Sequence, residues 1–165
     1  MVSKKRKAVR KSKDKNILIF LLVISFLAIV DSSYLLYLHY SDIESFCDIN
    51  ESLSCDVVNK SEYSEFPPDS GFPVSFMGLL TFLAVFVVEI LMLKNKSFKI
   101  SKYRINKKFF ADFLFYLMFA SLLFALYLVY VELFILYSIC ILCAALDILI
   151  IATLLCSRKL RKVYN

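Results

Sequence analysis

The sequence predicts an all-α membrane protein: a bundle of four transmembrane helices with a long non-cytoplasmic loop between helices 1 and 2. Hydrophobic side chains make up 60% of the 165 residues, and only two residues are glycine, a composition too apolar for an ordinary soluble domain. Four stretches each offer the roughly 20 apolar residues that a helix needs to cross a bilayer. Basic residues are confined to short segments between these stretches. Together these observations predict one compact helical domain in a lipid bilayer.

The distribution of charge predicts which side of the membrane each segment faces. Eight of the 20 lysines and arginines lie in residues 1–15, seven lie in residues 94–108 and four lie in residues 158–162, whereas residues 42–69 carry eight acidic residues and one lysine. Because basic segments stay in the cytoplasm, both termini are expected inside and the acidic loop outside. The net charge of +6 thereby reflects topology, and no nucleic-acid partner is expected.

The predicted elements alternate between apolar helices and polar connections. Helix 1 is expected to remain as an anchor, because it is longer than the core of a signal peptide and ends in bulky residues. In chain order the elements are a basic cytoplasmic tail (1–15), helix 1 (16–40), the outer loop (41–72), helix 2 (73–93), a cytoplasmic loop (94–108), helix 3 (109–131), helix 4 (137–157) and a cytoplasmic tail (158–165).

Two boundaries have specific physical reasons. Pro73 suits the first turn of helix 2, since a missing N–H costs nothing there. A single helix from Phe113 to Ser157 would extend about 67 Å, more than twice the hydrocarbon thickness. The chain must therefore turn back between Glu132 and Tyr137, although that segment contains no glycine or proline. In the outer loop, a short helix is expected around residues 55–63.

Four cysteines are predicted to lie on the same non-cytoplasmic side. Cys47 and Cys55 are spaced C-x7-C in the acidic loop, and Cys140 and Cys143 form C-x-x-C at the outer end of helix 4. Residues at i and i+3 share one helix face, close enough for a disulfide. The helix dipole favours the thiolate of Cys140, whereas Cys143 is expected one turn deeper in a drier environment. The loop pair is expected to face water.

These cysteines admit more than one function. Taken alone, the loop pair is best explained as a structural disulfide in an oxidising compartment. A second dithiol on the same face favours exchange between the pairs instead. A non-catalytic membrane module and a site where four thiolates hold zinc both stay open, although a spacing of seven suits zinc poorly. Cys156 lies about 20 Å along the helix from Cys143 and is expected to be a bystander.

Several polar residues in the apolar stretches are also candidates for function. Asp31 and Asp147 are expected to be protonated or hydrogen-bonded between helices, while Glu89 and Asp112 lie near the inner ends and are expected to reach water. His39, the only histidine, is expected to pack at the interface. None of the five is assigned a catalytic role.

The motifs together resemble the vitamin K epoxide reductase family, in particular its bacterial and archaeal homologues. The matching segments are C-D-I-N-E-S-L-S-C-D-V-V (47–58), Ser61, G-F-P-V-S-F-M-G (71–78) and C-I-L-C (140–143). The resemblance spans roughly residues 17–157. The C-x-x-C motif comes last, whereas disulfide bond formation protein B carries it in the first outer loop.

This resemblance implies an activity and a role for each cysteine. The protein would be a quinone-dependent thiol oxidoreductase that supports disulfide formation in exported proteins. Cys47 would exchange with a secreted thioredoxin-like protein, Cys55 would relay to Cys140, and Cys143 would deliver electrons to a quinone. The family's loop serine near the quinone head group corresponds to Ser61.

The resemblance also bears on the substrate and the location. Animal members carry an asparagine where this chain has Val74, so a menaquinone or ubiquinone type is expected rather than vitamin K epoxide. No metal is expected. A monomer in the cytoplasmic membrane of a prokaryote is expected, with the endoplasmic reticulum membrane as the alternative.

Aromatic residues near the outer boundary are further candidates for quinone binding. Quinone chemistry needs a hydrophobic pocket for a ring and an isoprenoid tail. Phe76 and Tyr137, with Phe72 and Phe134, can supply such a pocket near helix 4. The same residues are equally consistent with an interfacial aromatic belt.

Overall fold

The computed structural model describes residues 2–43, 45–50, 52–67, 71–94, 99–100, 103–104 and 107–164, with side chains from residue 15 onward except in the two short strands. Much of the predicted cytoplasmic loop, 94–108, lies outside the described residues. The regular elements are α1 (Val2–Tyr40), α2 (Cys55–Asn59), a 3-10 turn (Glu62–Ser64), α3 (Val74–Leu93), β1 (Lys99–Ile100), β2 (Tyr103–Arg104), α4 (Lys107–Val131), a π-helical turn (Glu132–Leu136) and α5 (Ile141–Tyr164). The two strands pair antiparallel.

Four helical segments are long and apolar enough to cross a membrane: Lys15–Tyr40, Val74–Leu93, Lys107–Leu136 and Ile141–Tyr164. At most a third of each apolar window is buried inside the protein, so large apolar side chains cover the outside of the bundle. Such a surface requires lipid around it. The predicted four-helix fold is confirmed, and the chain is a multi-pass membrane protein.

Two of the helices extend beyond the predicted spans. The first, α1, begins at Val2, so the basic segment 2–15 is helical, in keeping with the good helix propensity of lysine and arginine. The last, α5, continues to Tyr164, through the predicted tail. There Arg161 forms an ion pair with Asp112 of α4 (Nε to Oδ1, 2.6 Å), which fastens the extended end of α5 to α4.

The chain reverses direction where the sequence predicted a turn. The backbone N–H of Tyr137 donates to the carbonyl oxygen of Glu132, and the N–H of Ser138 donates to the same oxygen over 3.2 Å. Tyr137 adopts a left-handed conformation with φ 51°, which is uncommon for a residue other than glycine. This one residue ends the π-helical turn and redirects the chain into α5.

The main core cluster is formed by residues of all four long helices and is separate from the cluster that contains the cysteines. Helix α1 packs against α3 and α5, and α4 packs mainly against α5. The largest buried side chains of this core include Leu21, Phe82, Leu114 and Met118. At Gly78 of α3, a Cβ would lie 3.4 Å from the Ser32 hydroxyl of α1, so α1 and α3 are close neighbours at this point and a methyl group would still fit between them.

Candidate functional site

The short helix α2 docks the outer loop onto the bundle. Its N-terminus is capped by the Ser54 hydroxyl, which accepts a hydrogen bond from the N–H of Val57 (3.1 Å), as serine commonly does at this position. At its other end, the Asn59 side chain donates to the carbonyl of Leu35 in α1 (2.7 Å). Cys55 is the first residue of α2, so these contacts fix its position.

Backbone contacts place the loop beside the C-x-x-C segment. The N–H of Ile139 donates to the carbonyl of Ser52 over 3.0 Å, and Leu53 and Ile139 form a parallel bridge. Cys55 follows Leu53 by two residues, and Cys140 directly follows Ile139. The bridge thereby brings the first residue of α2 next to the start of α5.

The two cysteine pairs meet in one buried cluster. Cys47 and Cys55 form a disulfide with a Cα–Cα separation of 5.7 Å, and Cys140 and Cys143 are free thiols. Cys47, Cys55 and Cys140 pack with Leu35 of α1, and Cys143 packs against this group. The predicted co-location of the two pairs at one end of the bundle is confirmed.

The predicted gradient of exposure among the cysteines is wrong. Cys47 and Cys55 are only 2% and 0% exposed, because the loop folds back over them and does not hold them in water. Cys140 is fully buried, whereas Cys143 is partly exposed and lines a cavity. The loop covers the first turn of α5, so the residue nearer the helix end is the more enclosed one.

Cys140 occupies the capping position of α5. It directly precedes the helix, and its sulfur accepts a hydrogen bond from the N–H of Cys143 (3.1 Å). Its own N–H donates to Oε2 of Glu132 (3.2 Å). This places the Cys140 sulfur at the N-terminus of α5, next to the N–H of Cys143.

A cavity of about 370 Å³ adjoins Cys143 between the helices. Its walls are mostly apolar, with contributions from α1, α3, α4, α5 and the loop. Ser61 lines the cavity and donates its hydroxyl proton to the carbonyl of Val58 (2.8 Å). The volume lies within the range of small-molecule sites.

The two aromatic candidates do not line this cavity. Phe76 packs edge-to-face on Phe72, with ring centroids 5.5 Å apart. The Tyr137 side chain is 76% exposed, as expected for an interfacial tyrosine. Of the three residues predicted to contact a quinone, the structure therefore brings only Ser61 to the cavity.

Two residues of the site were not identified from the sequence. Glu132 lines the cavity and accepts a hydrogen bond from the N–H of Cys140. Asn59 donates the hydrogen bond that joins α2 to α1. Glu132 is the only charged residue between Asp112 and Asp147, a signal that could have found it. Nothing in the sequence distinguishes Asn59 from an ordinary loop asparagine.

The other polar candidates occupy different places in the bundle. Asp147 lines the cavity. Glu89 is fully buried and accepts a hydrogen bond from Ser25 (2.6 Å), so the expectation that it reaches water is wrong; the α1–α3 contact encloses it. His39 packs edge-to-face on its neighbour Tyr40.

Two aspartates, Asp48 and Asp56, are hydrogen-bonded to one another in the loop next to its cysteines. Partial burial would raise the pKa of Asp48, but hydrogen bonds from Ser54, Asp56 and Ser45 outweigh it and lower the pKa to about 2. Burial, and then the hydrogen bond shared with Asp48, raise the pKa of Asp56. Asp48 therefore loses its proton at a lower pH than Asp56, and it lies directly after Cys47 in the chain.

The fold and site together define a class: a membrane protein in which two cysteine pairs pack together beside an apolar cavity. Such packing suits thiol–disulfide exchange. The model of the vitamin K epoxide reductase family matches residues 19–157, most of the chain, and the chain belongs to this family. It is a family of oxidoreductases linked to quinones. No curated protein matches the chain closely enough to count as a relative.

Proposed function

We propose that the protein is a membrane thiol:quinone oxidoreductase that oxidises a secreted thioredoxin-like protein and thereby supports disulfide formation in exported proteins. The observation that carries this proposal is the buried cluster that contains Cys47, Cys55 and Cys140, against which Cys143 packs while it also lines the cavity. Thiol–disulfide exchange requires sulfurs that can approach one another. This cluster satisfies that requirement within a single chain, so a monomer suffices.

The order of the cysteines gives a direction for electron flow. Cys47 exchanges with the reduced partner, and the electrons pass from Cys55 to Cys140. Oxidation of the Cys140 and Cys143 thiols to a disulfide then releases two electrons to a quinone. The packing of Cys55 and Cys140 in one buried cluster and the position of Cys143 at the cavity support this order.

Access of the partner to Cys47 requires the loop to move. Cys47 is 2% exposed and accepts or donates a hydrogen bond with the Ser45 hydroxyl (3.3 Å). Its neighbours Phe46 and Ile49 are well exposed. We propose that contact of a partner with these apolar side chains accompanies displacement of the segment around Cys47.

The apolar cavity is the proposed quinone site. Its volume and lining fit a ring and the first part of an isoprenoid tail. Ser61 and Cys143 would lie near the head group, and a menaquinone or ubiquinone type is the proposed acceptor. Phe76 and Tyr137 gain no support for this role from the cavity.

The proposed location follows from charge and hydropathy. The basic segments at 1–15, 94–108 and 158–162 support the proposal that both termini lie in the cytoplasm, because basic segments tend to stay on that side of a membrane. The cysteine end of the bundle then faces an oxidising compartment. We propose the cytoplasmic membrane of a prokaryote.

The test is anaerobic mixing of the purified protein with a reduced thioredoxin-like donor and a soluble quinone, followed by absorbance. The wild-type protein should reduce the quinone. Cys143→Ala should not, and should accumulate a mixed disulfide or reduced loop cysteines. Cys156→Ala is the matched control, because Cys156 packs in the core away from the cluster, and it should retain activity. A wild-type protein that transfers no electrons from any thiol donor would contradict the proposal.

The zinc alternative is not supported by the state of the loop pair. Zinc binds thiolates, whereas Cys47 and Cys55 are bonded to one another. A purely structural disulfide would not require the second pair to pack against it, as Cys140 does.

A further inference from the structure

We infer that Glu132 is a catalytic residue that carries a proton between the Cys143 thiol and the quinone. The inference rests on the proposed function, and it adds a group that the cysteine relay does not supply. Oxidation of two thiols releases two protons, and formation of a quinol takes up two. The structure places the Glu132 carboxyl group in the wall of the cavity that Cys143 also lines.

Glu132 is buried without a compensating cation. Its side chain belongs to a residue that is only 7% exposed, and within the part of the chain that the structure describes, no basic side chain forms an ion pair with it. A carboxylate in such a place is costly unless it is protonated or hydrogen-bonded. Buried ionisable groups inside membrane bundles commonly mark sites of proton or ion movement.

The geometry connects this carboxyl to both reaction partners. One oxygen, Oε2, accepts the N–H of Cys140 (3.2 Å), which leaves Oε1 for a second contact. The Cys143 thiol lies within interaction distance of the same side chain. Both Glu132 and Cys143 line the cavity. Asp147, one helical turn beyond Cys143 on α5, is the other acid in the cavity wall.

The proposed step conserves protons and electrons. The Glu132 carboxylate takes the proton of the Cys143 thiol. The sulfurs of Cys140 and Cys143 form their disulfide, and two electrons pass to the bound quinone. Glu132 then gives its proton to a quinone oxygen, and the proton of the Cys140 thiol goes to the other oxygen. The products are one disulfide and one quinol, and Glu132 returns to its initial state.

A structural role is the competing explanation, because Glu132 also anchors the turn before α5. Glu132→Gln separates the two roles: glutamine has nearly the same size and keeps an oxygen that can accept the N–H of Cys140, but it cannot carry the proton. Glu132→Asp keeps the carboxyl group on a shorter side chain. The matched control is Glu89→Gln, which alters another buried glutamate, hydrogen-bonded to Ser25 away from the cavity.

The experiment is single-turnover reduction of a soluble quinone by protein whose Cys140 and Cys143 have been reduced, with partner and loop chemistry bypassed. General acid–base catalysis contributes about 10²- to 10⁴-fold, so Glu132→Gln should slow the reaction at least about a hundredfold. Glu132→Asp should recover a substantial part of the rate, and Glu89→Gln should match the wild type. A wild-type rate for Glu132→Gln, or equal slowing by Glu132→Gln and Glu132→Asp, would overturn the inference.

Two further outcomes are distinguishable. If the wild-type protein itself reduces no quinone, the proposed function fails, whereas an active wild type with an active Glu132→Gln rejects only the role of Glu132. Glu132→Ala gives a second, independent readout in protein that retains the Cys47–Cys55 disulfide, because it removes the carboxyl group and leaves space for a small acid. Added formate, a small carboxylic acid, should then restore quinone reduction at least tenfold, and no restoration would reject the role.

Discussion

The Asn59 side chain fixes α2, and with it Cys55, against α1. Asn59→Ala removes the 2.7 Å hydrogen bond to the Leu35 carbonyl, and a bond of this kind contributes about 0.5–1.5 kcal/mol net. Loss of packing from a side chain that is only 7% exposed adds to this cost. The Leu35 carbonyl lies within α1 and can also accept a hydrogen bond from the helix backbone. Removal of the Asn59 side chain therefore does not leave this carbonyl without a donor. We expect a total of about 1–2 kcal/mol, or a factor of about 5 to 30 in the equilibrium between docked and undocked α2.

The assay is the rate at which a maleimide labels Cys55 in a chain whose other cysteines are alanine. Because Cys55 is fully buried when α2 is docked, labelling requires local opening, and its rate reports the opening equilibrium when closing is fast. Asn59→Ala should label about 5 to 30 times faster than the same chain with Asn59.

Lys60→Ala is the control for this measurement. Lys60 is the next residue, and its only ion pair among the described side chains is a 3.8 Å surface contact with Asp56, a kind of contact that contributes little. The rate at which the maleimide labels Cys55 in Lys60→Ala should stay within about twofold of the rate in the parent chain. Equal rates for Asn59→Ala and the parent would refute the idea that this hydrogen bond holds α2 in place.

Further predictions concern the cavity wall and the loop. Gly78→Ala should leave thermal stability nearly unchanged, because its Cβ would lie in ordinary contact, 3.4 Å from the nearest atom, whereas Gly78→Leu should fill part of the cavity and raise the KM for quinone about tenfold. Ser54→Ala should lower the free energy of unfolding by about 0.5–2 kcal/mol through loss of the α2 cap, measured by denaturation. The pKa of Asp56 is raised in the folded protein, so the free energy of unfolding should fall as pH rises through that pKa. Asp56→Asn should abolish this fall in thermal melts. An unchanged pH dependence in the variant would contradict the assignment to Asp56. The contribution of Asp48 should be lost only as pH falls towards about 2.

Hydropathy and charge were sufficient to predict the bundle. The four spans and the reversal between Glu132 and Tyr137 follow from length and composition, and the structure has them. Helix α3 begins at Val74, one residue after the predicted start at Pro73. The meeting of the two cysteine pairs followed from topology alone, because a membrane has two faces and both pairs were assigned to one of them. These features depend on local composition, which a sequence displays directly.

The internal arrangement of the site could not be predicted in this way. Depth along the helix suggested that Cys140 is wet and Cys143 dry, but the loop covers Cys140 and the helices leave a cavity at Cys143. Glu132 enters the site through a π-helical turn that ends at a left-handed Tyr137, and no glycine marks that turn in the sequence. Contacts between distant segments decided both outcomes, and such contacts have no local signal.

The central claim is that the loop pair and the C-x-x-C pair exchange a disulfide through Cys55 and Cys140. Its most direct test is the double variant Cys47→Ala, Cys143→Ala, which leaves these two thiols without their own partners. After mild oxidation, proteolysis and mass spectrometry should identify a Cys55–Cys140 disulfide as the main product, as expected for two thiols that pack in the same buried cluster. If both thiols instead remain free and react separately with maleimide, the proposed route between the pairs is contradicted.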